Sequence, residues 1–130
     1  MPKDFDQAPA WFQKAAAKGN IAAEDKLGEM YQMGLGVPRD YAQALAWYRK
    51  AADQGDAAGE YGIGSFYLHG LGMPKDYAQA LPWLQKVAAQ DNAGAENNLG
   101  WMYEHAFGVP QDYSQALEWY KKAASHGAMP

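Results

Sequence analysis

Apolar and small residues recur along the chain at helical spacing. In the stretch beginning at Asp40, Leu45, Tyr48, Ala51 and Ala52 follow one another at three- and four-residue steps with Trp47 beside them, the signature of an amphipathic helix. Asp40-Tyr41-Ala42-Gln43 supplies its start: the Asp side chain accepts from first-turn amides while Gln, three residues on, reaches back as in a capping box. Gly55 stands where a left-handed C-terminal residue is wanted. A second, shorter helix is predicted from about Ala57 to His69, with Ile63, Gly64 and Tyr67 on its packed face. Gly70-Leu71-Gly72-Met73-Pro74-Lys75 ends it, since proline cannot continue a helix and glycine supplies positive φ.

This two-helix pattern repeats. Asp4, Asp40, Asp76 and Asp112 are each 36 residues apart, as are Gln7, Gln43, Gln79 and Gln115, Ala8, Ala44, Ala80 and Ala116, and Trp11, Trp47, Trp83 and Trp119. Gly28, Gly64 and Gly100, Tyr31, Tyr67 and Tyr103, Gly36, Gly72 and Gly108, and Pro38, Pro74 and Pro110 recur three times in the same phase. A fixed period of this length is the mark of a solenoid. The expected fold is all-α: an α/α superhelical solenoid of three 36-residue helical hairpins plus a terminal helix, seven helices in all, forming a single domain over residues 1–130 with units 4–39, 40–75, 76–111 and a partial unit 112–127. Glycines such as Gly64, set against Ala51 and Ala52, are expected to let helices approach closely, with Trp and Tyr rings filling the wider gaps.

Composition narrows the function. A formal charge of -4 and a pI near 5.2 provide no basic stripe, so no nucleic-acid partner is expected. No apolar run approaches the roughly 20 residues that span a bilayer, and the start, Met1-Pro2-Lys3-Asp4-Phe5-Asp6, lacks a signal-peptide core, so no membrane partner is expected. The chain as given reads as cytoplasmic, or as periplasmic or secreted if it is cut from a longer exported protein. With no cysteine, disulfides, zinc-thiolate sites and thiol nucleophiles are excluded.

The run Ala95 to Tyr103 carries A-x-x-x-L-G-x-M-Y, and Gly108 to Gly127 carries nearly all of G-x-G-V-P-x-D-Y-x-Q-A-L-x-W-Y-x-K-A-A-x-x-G. These motifs resemble the Sel-one-like repeat (SLR) family, relatives of the tetratricopeptide repeats, over essentially the whole chain. The resemblance implies a right-handed superhelix of helical hairpins whose members act mainly as adaptors in protein complexes, many of them bacterial. It does not extend to the cysteine-rich relatives linked to penicillin binding.

The chain departs from its own pattern at four places. Ala106 replaces the glycine of Gly34 and Gly70, and Asp91 the glycine of Gly19, Gly55 and Gly127. Pro82 falls inside a long helix, where it removes a hydrogen bond or kinks the chain, and Pro9 makes the first helix regular only from about that residue onward.

Positions constant across repeats are expected to pack, so a partner is sought at variable ones. Resemblance to tetratricopeptide repeats implies that the shorter helix lines the concave surface, with Asp25, Glu29 and Gln32 facing inward from the first unit, Tyr61, Ser65 and Leu68 from the second, and Asn97, Trp101 and Glu104 from the third. Their i, i+4, i+7 spacing puts each trio on one helical face. The strip suits an extended or helical peptide with an apolar anchor and a basic residue, and Trp101 is the first choice of contact. Packing of Trp101 and Tyr61 against adjacent helices, and simple solvation of Asp25 and Glu29, remain the competing explanations.

Catalytic chemistry finds little support. His69 and His105 occupy equivalent positions in successive hairpins, roughly 10 Å apart at ordinary helix spacing, too far to share an ion bound at about 2 Å; helix C-terminal histidines favoured by the macrodipole explain them better. Ser65 has no histidine at a suggestive spacing, and Gly34-Leu35-Gly36 closes a helix where a phosphate cradle would open one. Glu24, Glu60 and Glu96 are expected to pair with Lys14, Lys50 and Lys86. No enzyme activity, cofactor or metal is expected. The leading function is a protein-binding scaffold. The alternative is a structural module or a piece of a longer solenoid, with weak self-association through exposed end helices, since Leu117, Trp119 and Tyr120 lie on the last helix with little beyond them.

Overall fold

A computed structural model describes residues 8–127, so Asp4 and Gln7, which open the first repeat, lie outside the described residues. Seven helices and no strands occur among those residues: α1 (Ala8–Ala17), α2 (Ile21–Met33), α3 (Tyr41–Ala52), α4 (Ala57–His69), α5 (Tyr77–Ala88), α6 (Ala93–His105) and α7 (Tyr113–Ser125). The helix expected to be shorter is in fact the equal of its neighbour, α4 having 13 residues and α3 having 12. Gly55 follows α3 only after a further turn of backbone bonds. Two compact units, Met1–Gly62 and Ile63–Pro130, divide the chain within α4.

The recurring aspartate caps the odd-numbered helices as the spacing predicts. Asp40 Oδ1 accepts from the Gln43 amide at 3.1 Å, Asp76 Oδ1 from Gln79 at 3.0 Å and Asp112 Oδ1 from Gln115 at 3.0 Å, each from extended backbone. Satisfying one of the four open amides in this way stabilises a helix start by about 1 kcal/mol. Asn20 and Asn92 cap α2 and α6 likewise, accepting from Ala23 and Ala95.

In the first unit, Ala16, Ala23 and Leu27 form a buried cluster against which Phe12, Ala15 and Trp47 pack. The Tyr48 ring lies between two glycines. A Cβ on Gly28 would stand 2.7 Å from Tyr48 Cε1, and one on Gly62 would stand 2.7 Å from Tyr48 Cγ, so α2, α3 and α4 approach this ring only because both positions lack a side chain. The Tyr48 hydroxyl donates to Gln32 Oε1 at 2.9 Å. Burial, reinforced by the charges of Glu29 and Asp25, pushes the phenol up to about 12. The close approach to Ala51 and Ala52 is made by Gly59 and not by Gly64: a Cβ on Gly59 would meet Ala51 Cβ at 2.9 Å, whereas Gly64 faces Leu84 and Trp83. Gly59 precedes Gly64 by five residues, so the two lie on different faces of α4.

In the second unit, Ile63, Phe66, Leu68, Leu84, Val87, Leu99 and Met102 are at most 1% exposed. Each such side chain contributes about 1.5–3 kcal/mol by leaving water. Gly100 sits under the Tyr120 ring as Gly28 sits under Tyr48, with a Cβ contact that would fall at 2.9 Å. Helix α6 ends on Ala106 at φ 61, and the amides of Ala106 and Phe107 both bond to Met102 O. This is the left-handed cap that Gly34 makes at φ 71 after α2. Asp91 is also left-handed, at φ 63. Pro82 interrupts nothing: α5 runs through it, leaving the Ala78 carbonyl without its helical amide.

Candidate functional site

In the first unit the sequence-selected polar residues already have partners. Glu29 takes Lys26 Nζ at 2.9 Å and Gln32 takes the Tyr48 hydroxyl. Asp25 faces Asp56, whose Oδ2 caps α4 by accepting from the Gly59 amide at 2.9 Å. Asp25 Oδ1 is enclosed and takes no hydrogen bond from the described residues. Burial, then the Asp56 carboxylate sharing a proton with it, then the charge of Glu24, raise the Asp25 carboxyl to about 7. The folded chain therefore holds this proton where the unfolded chain has released it. Stability falls as pH rises from about 4 toward 7, and the full penalty is present above that. Asp25→Asn is expected to raise the melting temperature at pH 8 and to bring no gain at pH 4. Circular-dichroism melts at the two pH values check this, and an equal shift at both would count against the shared proton. Tyr61 is half-buried on α4 in this unit.

In the second unit the structure brings three of the sequence-selected residues together. Leu68 on α4 and Asn97 and Trp101 on α6 line a predominantly apolar cavity of about 540 Å³, joined by His69, Asn98 and Tyr120. Leu68 is 1% exposed and forms part of the wall, whereas Trp101 is 37% exposed. The Trp101 ring is held in place by its neighbours: Phe107 lies 4.7 Å away at a tilt, and His105 meets it edge-on at 5.5 Å. Phe107 in turn stacks on Tyr77 at 4.5 Å. Offset and edge contacts of this kind stabilise each pair by about 0.5–1.5 kcal/mol beyond area burial, so Trp101 presents a fixed surface. Glu104 Oε1 accepts from the Tyr120 hydroxyl at 2.7 Å, repeating the Gln32–Tyr48 bond, and burial, then this bond and the Glu104 charge, push Tyr120 up to about 12. Ser65 is half-buried on α4 outside the cavity lining.

The sequence points to none of His69, Asn98 and Tyr120 as lining this cavity: it considers His69 only with His105 as a metal ligand and Tyr120 only as part of an exposed end helix. Only the fold shows that one edge of Tyr120 reaches the cavity. Lys14, Lys50 and Lys86 were expected to meet Glu24, Glu60 and Glu96, but two of these carboxylates take other partners. Glu24 accepts from Gln54 Nε2 at 2.7 Å and Glu96 from His126 Nδ1 at 2.7 Å, both reaching 30 residues along the chain. Lys50, Lys86 and Lys122 lie over the rings of Trp47, Trp83 and Trp119 at 4.8–5.8 Å, where a cation meets the negative π face. No helix among the described residues is long and apolar enough to cross a membrane.

The family model described as "Sel1 repeat" matches residues 1–20, 21–56, 57–92 and 93–127. A crystallised protective antigen of uropathogenic Escherichia coli strains, described as displaying an SLR fold, is 41% identical with a TM-score of 0.92, over 98% of this chain and 27% of that one. A Sel1 repeat protein from Oxalobacter formigenes is 36% identical with a TM-score of 0.87, over 95% of this chain and 50% of that one. The chain thus spans half or less of either protein. Cysteine rich protein B of Helicobacter pylori, 20% identical with a TM-score of 0.70 over 92% of this chain and 91% of that one, shares the fold. A search of curated proteins gives no match.

Proposed function

The chain belongs to the Sel1 repeat family, whose members are commonly protein-interaction scaffolds, and from that premise we propose that it holds a peptide segment of a partner protein by seating an apolar side chain in the cavity beside Trp101. The observation that carries this reading is the fixed, exposed Trp101 at the rim of an apolar cavity. Its repeat counterparts are Glu29 and Ser65, so packing of the fold does not require tryptophan there. A volume of about 540 Å³ falls within the range of roughly 300–1,000 Å³ usual for ligand pockets. Asn97 and His69 at its edge offer hydrogen bonds to a peptide backbone, and the carboxylate of Glu104, on the same helix face, favours a basic neighbour in the ligand. No catalytic step is assigned. Selection of random peptides displayed on phage against the full chain tests the reading. Enrichment of sequences with an apolar anchor next to Lys or Arg supports it, and enrichment without any apolar position counts against it.

A second reading, end-to-end self-association, rests on a different observation. Trp11, Tyr113 and Leu117 are 61%, 67% and 54% exposed, whereas Trp47 and Tyr77, the repeat counterparts of the first two, pack on a core cluster and on Phe107. Stacking of copies through these faces predicts a mass that rises with concentration in sedimentation equilibrium; a constant monomer mass removes this reading.

A further inference from the structure

Two departures of the chain from its own repeat converge on one buried carboxylate. Glu24, Glu60 and Glu96 hold equivalent positions and each is 1% exposed. Glu24 is met by Gln54, and the residues 36 and 72 positions further on are Gln90 and His126. At the last occurrence imidazole therefore replaces the amide, with His126 Nδ1 2.7 Å from Glu96 Oε1 and 3.0 Å from Oε2. The second departure is Asp91, standing where the other repeats have Gly19, Gly55 and Gly127. It holds the left-handed backbone of those glycines and brings its Oδ1 to 3.8 Å from His126 Nε2.

We propose that Asp91, Glu96 and His126 form a binding site for a divalent transition-metal ion of the zinc class. Their donor atoms lie within 4.8 Å of one another. Tetrahedral ligands about 2.1 Å from zinc are separated by roughly 3.4 Å, and the partial exposure of His126 and the exposure of Asp91 leave both side chains room to turn toward that spacing around the buried Glu96. One imidazole nitrogen with carboxylate oxygens is a donor set that such ions accept, the remaining positions being taken by water. Loading releases the proton held between His126 and Glu96. The hydrogen bond to Glu96 raises the His126 imidazole above its ordinary value against the opposing effect of burial, with the charges of Glu96 and Asp91 adding to the rise. Lys122, on the same helix, opposes it and would also oppose the ion, but two carboxylates outweigh one ammonium. An ion here clasps the end of α7 to the start of α6 and the turn before it, the task that the Gln54–Glu24 hydrogen bond performs for α3 and α2.

The repeat supplies fold-preserving variants. His126→Gln restores the residue found at positions 54 and 90, and Asp91→Gly restores the glycine of Gly55. Titration of the full chain with zinc chloride alone in a calorimeter is expected to show one ion per chain, accompanied by a higher melting temperature. His126→Gln should weaken binding about tenfold or more and abolish the thermal shift, with Asp91→Gly weakening it to a smaller extent. His105→Gln should change neither. Absence of one-to-one binding, equal binding in both reverted variants, or loss of binding in His105→Gln would each overturn the site.

Discussion

Gly28→Ala is expected to lower the melting temperature by about 10 °C, the effect of roughly 2–3 kcal/mol of overpacking in a domain of this size. The added Cβ would stand 2.7 Å from Tyr48 Cε1, and the ring cannot retreat because Gly62 closes its other side and Gln32 holds its hydroxyl. The helix-propensity gain of alanine over glycine, about 1 kcal/mol, offsets only part of this. The two equivalent substitutions provide internal controls. Gly100→Ala meets Tyr120, which is only half-buried and has room to swing, so a smaller loss is expected. Gly64→Ala meets the flexible end of Leu84 at 3.1 Å and should be mildest of the three. Thermal melts of the three variants check the order, and equal losses would show that the Tyr48 sandwich is not the cause.

Trp101→Ala is expected to weaken a selected peptide about 30-fold, the loss of a hot-spot side chain contributing roughly 2 kcal/mol. Helicity should survive, because Trp101 is 37% exposed and its backbone lies mid-helix. Fluorescence-polarisation titration of the peptide against wild type and variant measures the ratio. Unchanged affinity would place the ligand elsewhere. Trp101→Phe should recover part of the binding, since a smaller ring keeps the apolar contact.

The sequence made the frame of the molecule readable because local signals and the repeat agree. Asp40, Asp76 and Asp112 mark three helix starts through a hydrogen bond that depends only on residues three apart, and the bounds of α4 follow from Gly55 and Gly70. Positive φ at Asp91 and Ala106 could be read by aligning each with glycines one repeat away. The site was legible in part. Comparing repeats isolates Trp101 as a position free to vary, but the cavity also needs His69 from α4 and Tyr120 from α7, and no spacing rule within one helix joins them. The same comparison gives no sign of Tyr120, whose counterparts are Tyr48 and Leu84 and whose ring packs Gly100 with one edge and faces the cavity with another. Glu96 and His126 escaped for a related reason: a contact 30 residues apart spans a helix, a loop and most of another helix, and its clue was the change from Gln54 and Gln90 to histidine. Asp25 and Glu29 look like a solvated acidic face in the sequence, whereas the fold gives one a second carboxylate and the other a lysine.

The most direct measurement for the central claim is a crystal structure of the full chain with a phage-selected peptide. An apolar side chain of the peptide seated against Leu68, Asn97, Trp101 and Tyr120 is the predicted result; a peptide bound away from α6, with the Trp101 ring untouched, would contradict it.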